Sequence, residues 1–128
     1  MYNLYLVAIG GAFGACSRYL FTEMITLSYK GSNFPWGTIS VNIIGSFLIG
    51  VLHFFLTNYL SSLSPQIRLL LATGVLGGFT TFSAFSLDTF RLISSGNFTA
   101  ALAYIFASVI FSILAIFLGF YCSKSLFS

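Results

Sequence analysis

Charge is what this sequence has least of. Among 128 residues there are five lysines and arginines, two acidic side chains and one histidine. An ordinary soluble domain carries roughly 25% charged residues, against 5% here, so a water-facing surface cannot be assembled from this chain. The formal charge of +3 rests on so few cations that no basic patch can form, which excludes a nucleic-acid-binding reading. With so few ionisable groups and no nucleophile beside a base, the sequence also lacks a catalytic set. Cysteine is scarce too. Cys16 and Cys122 fall in or beside apolar stretches and are expected as small buried hydrophobes, not as a disulfide. No apolar run is followed by a small-residue cleavage site and a polar body, so the first apolar segment is expected as a retained helix and not a signal peptide.

What the chain has is apolar length. Hydrophobic residues make up 58% of it, and the mean hydropathy is +1.00. At about 20 residues per crossing, four spans fit. The pattern predicts an all-α membrane protein, a single four-helix transmembrane domain over 1–128, with spans at about 4–27, 35–60, 66–93 and 98–122. The polar run Ser28 to Asn33 ends the first span, and Pro35 suits the first turn of the second, with Trp36 as an interfacial anchor. Ser61-Ser62-Leu63-Ser64-Pro65 and Ser94-Ser95-Gly96-Asn97 separate the remaining spans.

The third span carries the most informative stretch, Gly74-Val-Leu-Gly77-Gly78-Phe79-Thr80-Thr81-Phe82-Ser83-Ala84-Phe85-Ser86. Paired glycines and paired threonines in a membrane-length helix predict a break at 77–81. A break frees backbone carbonyls and amides, which hydrocarbon tolerates only where protein, water or an ion satisfies them. The segment therefore reads as an ion-handling site. Carbonyls freed near Gly77 and Thr80 suit a small cation, whereas nearby amides and hydroxyls favour an anion. Phe82 and Phe85, three residues apart, share a face of the resumed helix. Ring edges are positive, so such a pair turned inward can meet an anion, although the same spacing also serves ordinary packing.

Polar and small residues form stripes on the other spans. Thr38, Asn42, Ser46 and Gly50 recur every four residues on the second, and Tyr104, Ser108 and Ser112 on the fourth. Gly10, Gly14, Gly45 and Gly50 read as close-packing positions between helices. Asn42 has two readings, interhelical glue or a donor lining a pore, because its amide has four hydrogen-bonding positions to satisfy. Arg18 also has two: a cation raising the potential of an aqueous vestibule, or an anchor snorkelling to the headgroups with Glu23 loosely beside it. Asp88 and His53 read as local caps or interfacial groups.

Charge placement bears on assembly. Arg68 and Lys124 lie on one side of four spans, Lys30 and Arg91 on the other, with Arg18 deeper. Orientation follows the excess of Lys and Arg in cytoplasmic loops, so this near tie predicts insertion in both directions and an antiparallel, dual-topology homodimer.

Three blocks in order, Gly10-Gly11-Ala12-Phe13-Gly14-Ala15-Cys16-Ser17-Arg18-Tyr19, Gly37-Thr38-Ile39-Ser40-Val41-Asn42-Ile43-Ile44-Gly45 and Gly77-Gly78-Phe79-Thr80-Thr81-Phe82-Ser83-Ala84-Phe85-Ser86, resemble the Fluc/CrcB family of fluoride channels. The resemblance covers nearly the whole chain, the third block being the most diagnostic. It implies a dual-topology homodimer in the cell (inner) membrane, with two antiparallel pores that let fluoride leave the cytoplasm passively. It also implies a structural sodium ion at the dimer interface, held by the backbone carbonyls of Gly77 and Thr80 in both copies. Under the same resemblance Phe82, Phe85 and Asn42 line the fluoride path, Arg18 stands in the vestibule, Tyr104, Ser108 and Ser112 form a polar track, and Thr38 lies at its second-helix end. Phe79 departs from the family where a smaller aliphatic residue is common, and Asp88 where glutamate is frequent. A small dual-topology, proton-coupled exporter of organic cations, resembling the small multidrug resistance family, is the alternative; it needs a membrane-embedded carboxylate, for which Glu23 is the only early candidate. A non-transporting membrane scaffold fits the composition as well.

Overall fold

Long apolar helices separated by short polar turns leave the chain four arms able to cross a bilayer: Tyr2–Ser28, Trp36–Asn58, Pro65–Ser94 and Phe98–Phe127. The computed structural model describes residues 1–128, with no strand. The arms contain helices α1 (Tyr2–Ser28), α2 (Trp36–Asn58), α3 (Pro65–Arg68), α4 (Gly77–Phe79), α5 (Phe82–Ser94) and α6 (Phe98–Phe127), with a π-helical segment, Leu69–Leu76, between α3 and α4.

Turn chemistry sets the ends. The Tyr29 amide closes α1 on the Ile25 carbonyl, and Gly96 takes a positive φ of 81° to turn the chain from α5 into α6. Pro35 is the residue before α2 rather than within its first turn, and the Trp36 indole donates to Ser32 Oγ while stacking on Tyr29. The last helix continues past Cys122 to Phe127. Lys124 in its final turn complements the helix dipole there, and Tyr59 OH donates to the Phe127 carbonyl.

The third arm departs from a simple broken α-helix. The break is confined to Thr80 and Thr81, both extended, while Gly77 keeps helical dihedrals. Upstream of it the helix widens into π turns, a form that occurs mostly as single-turn bulges and often at functional sites. Uniformly apolar Leu69, Leu70 and Leu71 hold no periodic signal from which that widening could be read.

Packing divides into two seams. α2 pairs extensively with α6, and α1 with the third arm. Both seams are backbone on backbone. A Cβ on Gly74 would lie 2.9 Å from Gly10 Cα, and one on Gly78 would lie 2.6 Å from the Gly11 carbonyl. Gly50 and Gly119 play the same part between α2 and α6, each facing the other helix's carbonyls. These are the close approaches expected of Gly10, Gly14 and Gly50, and membrane helices use small residues this way because dispersion and polar contacts, not water exclusion, drive their association.

Only 18 of 128 residues are buried, so most apolar side chains point outward, Phe13 at 66% and Phe106 at 61% exposure among them. Cys16 and Cys122 are exposed as well, which corrects the expectation that they are buried. Hydrocarbon surroundings remove the penalty that drives such side chains inside a soluble protein.

Candidate functional site

The break is held open by other parts of the same chain. Thr81 is extended, so its amide cannot bond to the Gly77 carbonyl; it donates instead to Asn42 Oδ1 at 2.8 Å, while Asn42 Nδ2 donates to the Thr81 carbonyl at 3.0 Å. The Thr80 amide donates to the Leu76 carbonyl at 3.0 Å, and the Thr80 carbonyl accepts from Arg18 Nη1 at 3.3 Å. Every backbone polar group of the extended pair therefore has a partner, which is what a break in a membrane requires. Downstream, Thr81 Oγ1 caps the new helix by accepting from the Ala84 amide at 3.1 Å.

Two of Asn42's four hydrogen-bonding positions are committed to Thr81. The remaining N–H and lone pair belong to a side chain that also lines a cavity of about 380 Å³. From the third arm Gly77, Thr80, Thr81, Phe82 and Phe85 line the same cavity. Ser46 and Ile49 of α2, and Ser108 and Ser112 of α6, complete the polar and apolar sides. Phe82 and Phe85 are 5.3 Å apart between ring centroids at 45°, with Phe82 77% exposed on the outer side. Ser108 Oγ is buried and has no hydrogen-bond partner. An unpartnered buried hydroxyl is uncommon in a native structure, and this one belongs to a residue that lines the cavity.

Thr38 and Tyr104 lie outside that cavity, where they meet at Asp88. Thr38 Oγ1 donates to Asp88 Oδ2 at 2.7 Å, and Tyr104 OH to the same oxygen at 3.4 Å. Tyr104 is fully buried and lies 5.3 Å from Phe85 between centroids, so the aromatic pair connects the cavity to this cluster. Asp88 also forms the only ion pair, with Arg91 at 3.8 Å. Asp88, expected as a local cap or anchor, instead ties α5 to α2 and α6. Its position three residues after Phe85, on the same helix face, was the available signal.

Arg18 turns toward the break. Glu23 is exposed near the end of α1 and does not pair with it. No three His, Cys, Asp or Glu residues come together, so only neutral oxygens are grouped near the break. Gly77's carbonyl has lost its ladder donor to Asn42. Thr80's carbonyl keeps one lone pair beyond the bond from Arg18, although the guanidinium there opposes a second cation.

A family model described as CrcB-like protein, Camphor Resistance (CrcB), matches residues 5–120. The chain belongs to this family. It is 52% identical over 126 residues to a protein of Chelativorans sp. (strain BNC1), covering 98% of this chain and 99% of that one. It is 49% identical over 127 residues to one of Agrobacterium fabrum, covering 99% and 100% of the two chains, and 50% identical over 119 residues to one of Rhizobium meliloti, covering 93% and 94%. All three relatives carry the name fluoride-specific ion channel FluC. Family membership together with four apolar arms makes this CrcB-family chain a multi-pass membrane protein.

Proposed function

We propose that the chain is a fluoride-selective channel, working as an antiparallel homodimer that lets fluoride leave the cytoplasm down its gradient. The observation that carries this reading is the cavity at the break, lined by the Phe82–Phe85 pair, by Asn42 with two hydrogen-bonding positions to spare and by Ser108 with its unpartnered hydroxyl. Fluoride is small and strongly hydrated, so a path for it must replace water with donors and positive ring edges in confinement. The charge of Arg18, unpaired with any acid, makes the potential near the break positive and draws anions toward it. Ser112 extends the polar side of the cavity on α6, whereas beyond Phe85 the hydroxyls of Thr38 and Tyr104 are committed to Asp88.

Passive conduction is sufficient for such a task. Hydrogen fluoride crosses a bilayer unaided and ionises in the more alkaline cytoplasm, so a leak for the anion in the cell (inner) membrane prevents its accumulation and lowers its toxicity. No enzymatic step is needed. The near tie of loop charges supports insertion both ways, and a second, inverted copy covers the outward face of Phe82. In that dimer the Gly77 and Thr80 carbonyls of both copies would hold a structural sodium ion, which supplies positive charge at the centre without being transported.

Efflux from liposomes containing the purified protein tests the reading, with fluoride or chloride loaded and read by ion-selective electrodes. Rapid fluoride release without comparable chloride release is the expected result, and a folded dimer that releases neither ion would end it. The proton-coupled exporter fits the geometry less well, because Glu23 is exposed near a helix end, away from the cavity. Glu23→Gln should leave fluoride efflux nearly unchanged, whereas it abolishes transport by a carrier.

A further inference from the structure

Gly45 lies three residues beyond Asn42 on α2, on the same face and lining the same cavity. A Cβ built there would overlap the Cγ2 methyl of Thr80, with Phe79 Cδ1 at 3.3 Å and Thr80 Cβ at 3.7 Å. Gly50 faces the backbone of Ile116 and Gly14 the backbone of Val75, but the atoms nearest Gly45 are all side-chain atoms. The space it leaves is filled by one methyl group. Thr80 is otherwise held in place: its Oγ1 and amide both donate to the Leu76 carbonyl at 3.0 Å, and its carbonyl accepts from Arg18.

We propose that Gly45 is a positioning residue for the channel, its missing side chain seating the Thr80 methyl against α2 and so setting where the break lies and where the Thr80 carbonyl points. This rests on the channel reading and deepens it. A β-branched side chain cannot swing its methyl aside without changing χ1, and here χ1 is pinned by the hydroxyl bond to Leu76. An added Cβ at position 45 must therefore move the backbone at Thr80. Thr81 moves with it, out of register with the Asn42 amide. Serine at the same place would keep the hydroxyl and omit the methyl, which gives the contact a specific remedy.

The test is a double-mutant cycle on the full-length protein, combining Gly45→Ala with Thr80→Ser. Fluoride efflux from liposomes is one readout. The other is the sodium concentration that half-protects the detergent-solubilised dimer from thermal unfolding. Gly45→Ala alone should cut efflux by about tenfold and raise the sodium requirement several-fold, while the same change in the Thr80→Ser background should cost less than about threefold in each. Gly50→Ala, which meets rigid backbone, should carry the same penalty in both backgrounds. Equal penalties for Gly45→Ala in both backgrounds, or none in either, would overturn the proposal. If Gly45→Ala alone does not fold, recovery of folded dimer on adding Thr80→Ser supports it, and continued misfolding overturns it. Absence of efflux from the unmutated protein would instead refute the channel reading, and the sodium readout would still report whether Gly45 and Thr80 are coupled.

Discussion

Asn42→Ala and Asn42→Asp separate the two tasks of one side chain, clamping the break and lining the cavity. The clamp consists of bonds of 2.8 and 3.0 Å to the Thr81 amide and carbonyl. Alanine removes both and leaves two backbone groups in a low-dielectric site. At about 1–3 kcal/mol for each buried group left unsatisfied, the cost is about 2–6 kcal/mol, less whatever entering water recovers. Aspartate keeps the acceptor for the Thr81 amide but sets a charged carboxylate oxygen against the Thr81 carbonyl, so repulsion and the cost of desolvating the charge make it at least as destabilising as alanine. In conduction the two variants differ, because a carboxylate places negative charge on an anion route and alanine does not. Stability should thus fall in both variants, and fluoride efflux in the order native, Ala, Asp. Denaturation of the detergent-solubilised protein and fluoride-electrode efflux from liposomes, both at neutral pH, measure the two effects. Efflux through the Asp variant equal to or faster than through the Ala variant would refute the claim that Asn42 faces the fluoride path. Stability unchanged by Asn42→Ala would refute the clamp.

Phe82→Ile and Phe85→Ile should each reduce fluoride efflux by about tenfold or more without preventing dimer assembly, because an aliphatic group has no positive edge to offer; native efflux from both variants would remove the aromatic path. Replacing sodium with a large organic cation should lower the thermal stability of the dimer, and indifference to sodium would count against the carbonyl site at Gly77 and Thr80. A single cysteine placed at the C-terminus, with Cys16 and Cys122 replaced since both are exposed, should react with impermeant reagents from both sides of the membrane. One-sided labelling would end the dual-topology reading.

Much of the architecture is legible in the sequence, because the bilayer is a simple solvent with one demand. Apolar length sets the number of arms, and polar turns such as Ser94-Ser95-Gly96-Asn97 delimit them. The discontinuity in the third arm could be anticipated from Gly77-Gly78 and Thr80-Thr81, since glycine and paired β-branched threonines both weaken a helix. Its confinement to Thr80 and Thr81 could not. That depends on Asn42 and Arg18, which come from other helices and satisfy the extended backbone. The π-helical turns of Leu69–Leu76 were equally hidden, because an all-apolar run reads the same in any helical form.

Site residues divide along the same line. Periodicity alone grouped Asn42 with Thr38, and Tyr104 with Ser108, yet packing separates them: Asn42 and Ser108 line the cavity, while Thr38 and Tyr104 gather at Asp88. Burial could not be forecast for Cys16 and Cys122, since lipid leaves apolar side chains free to face outward. What the sequence by itself determined was the solvent, the four helical arms and the segment where one of them breaks, all properties of composition and local backbone preference. Which polar atoms meet across helices, how Thr80 is seated against Gly45, and which hydroxyl is left without a partner were decided only by tertiary structure. Those facts depend on distances between residues far apart in the chain, and local preference does not specify them.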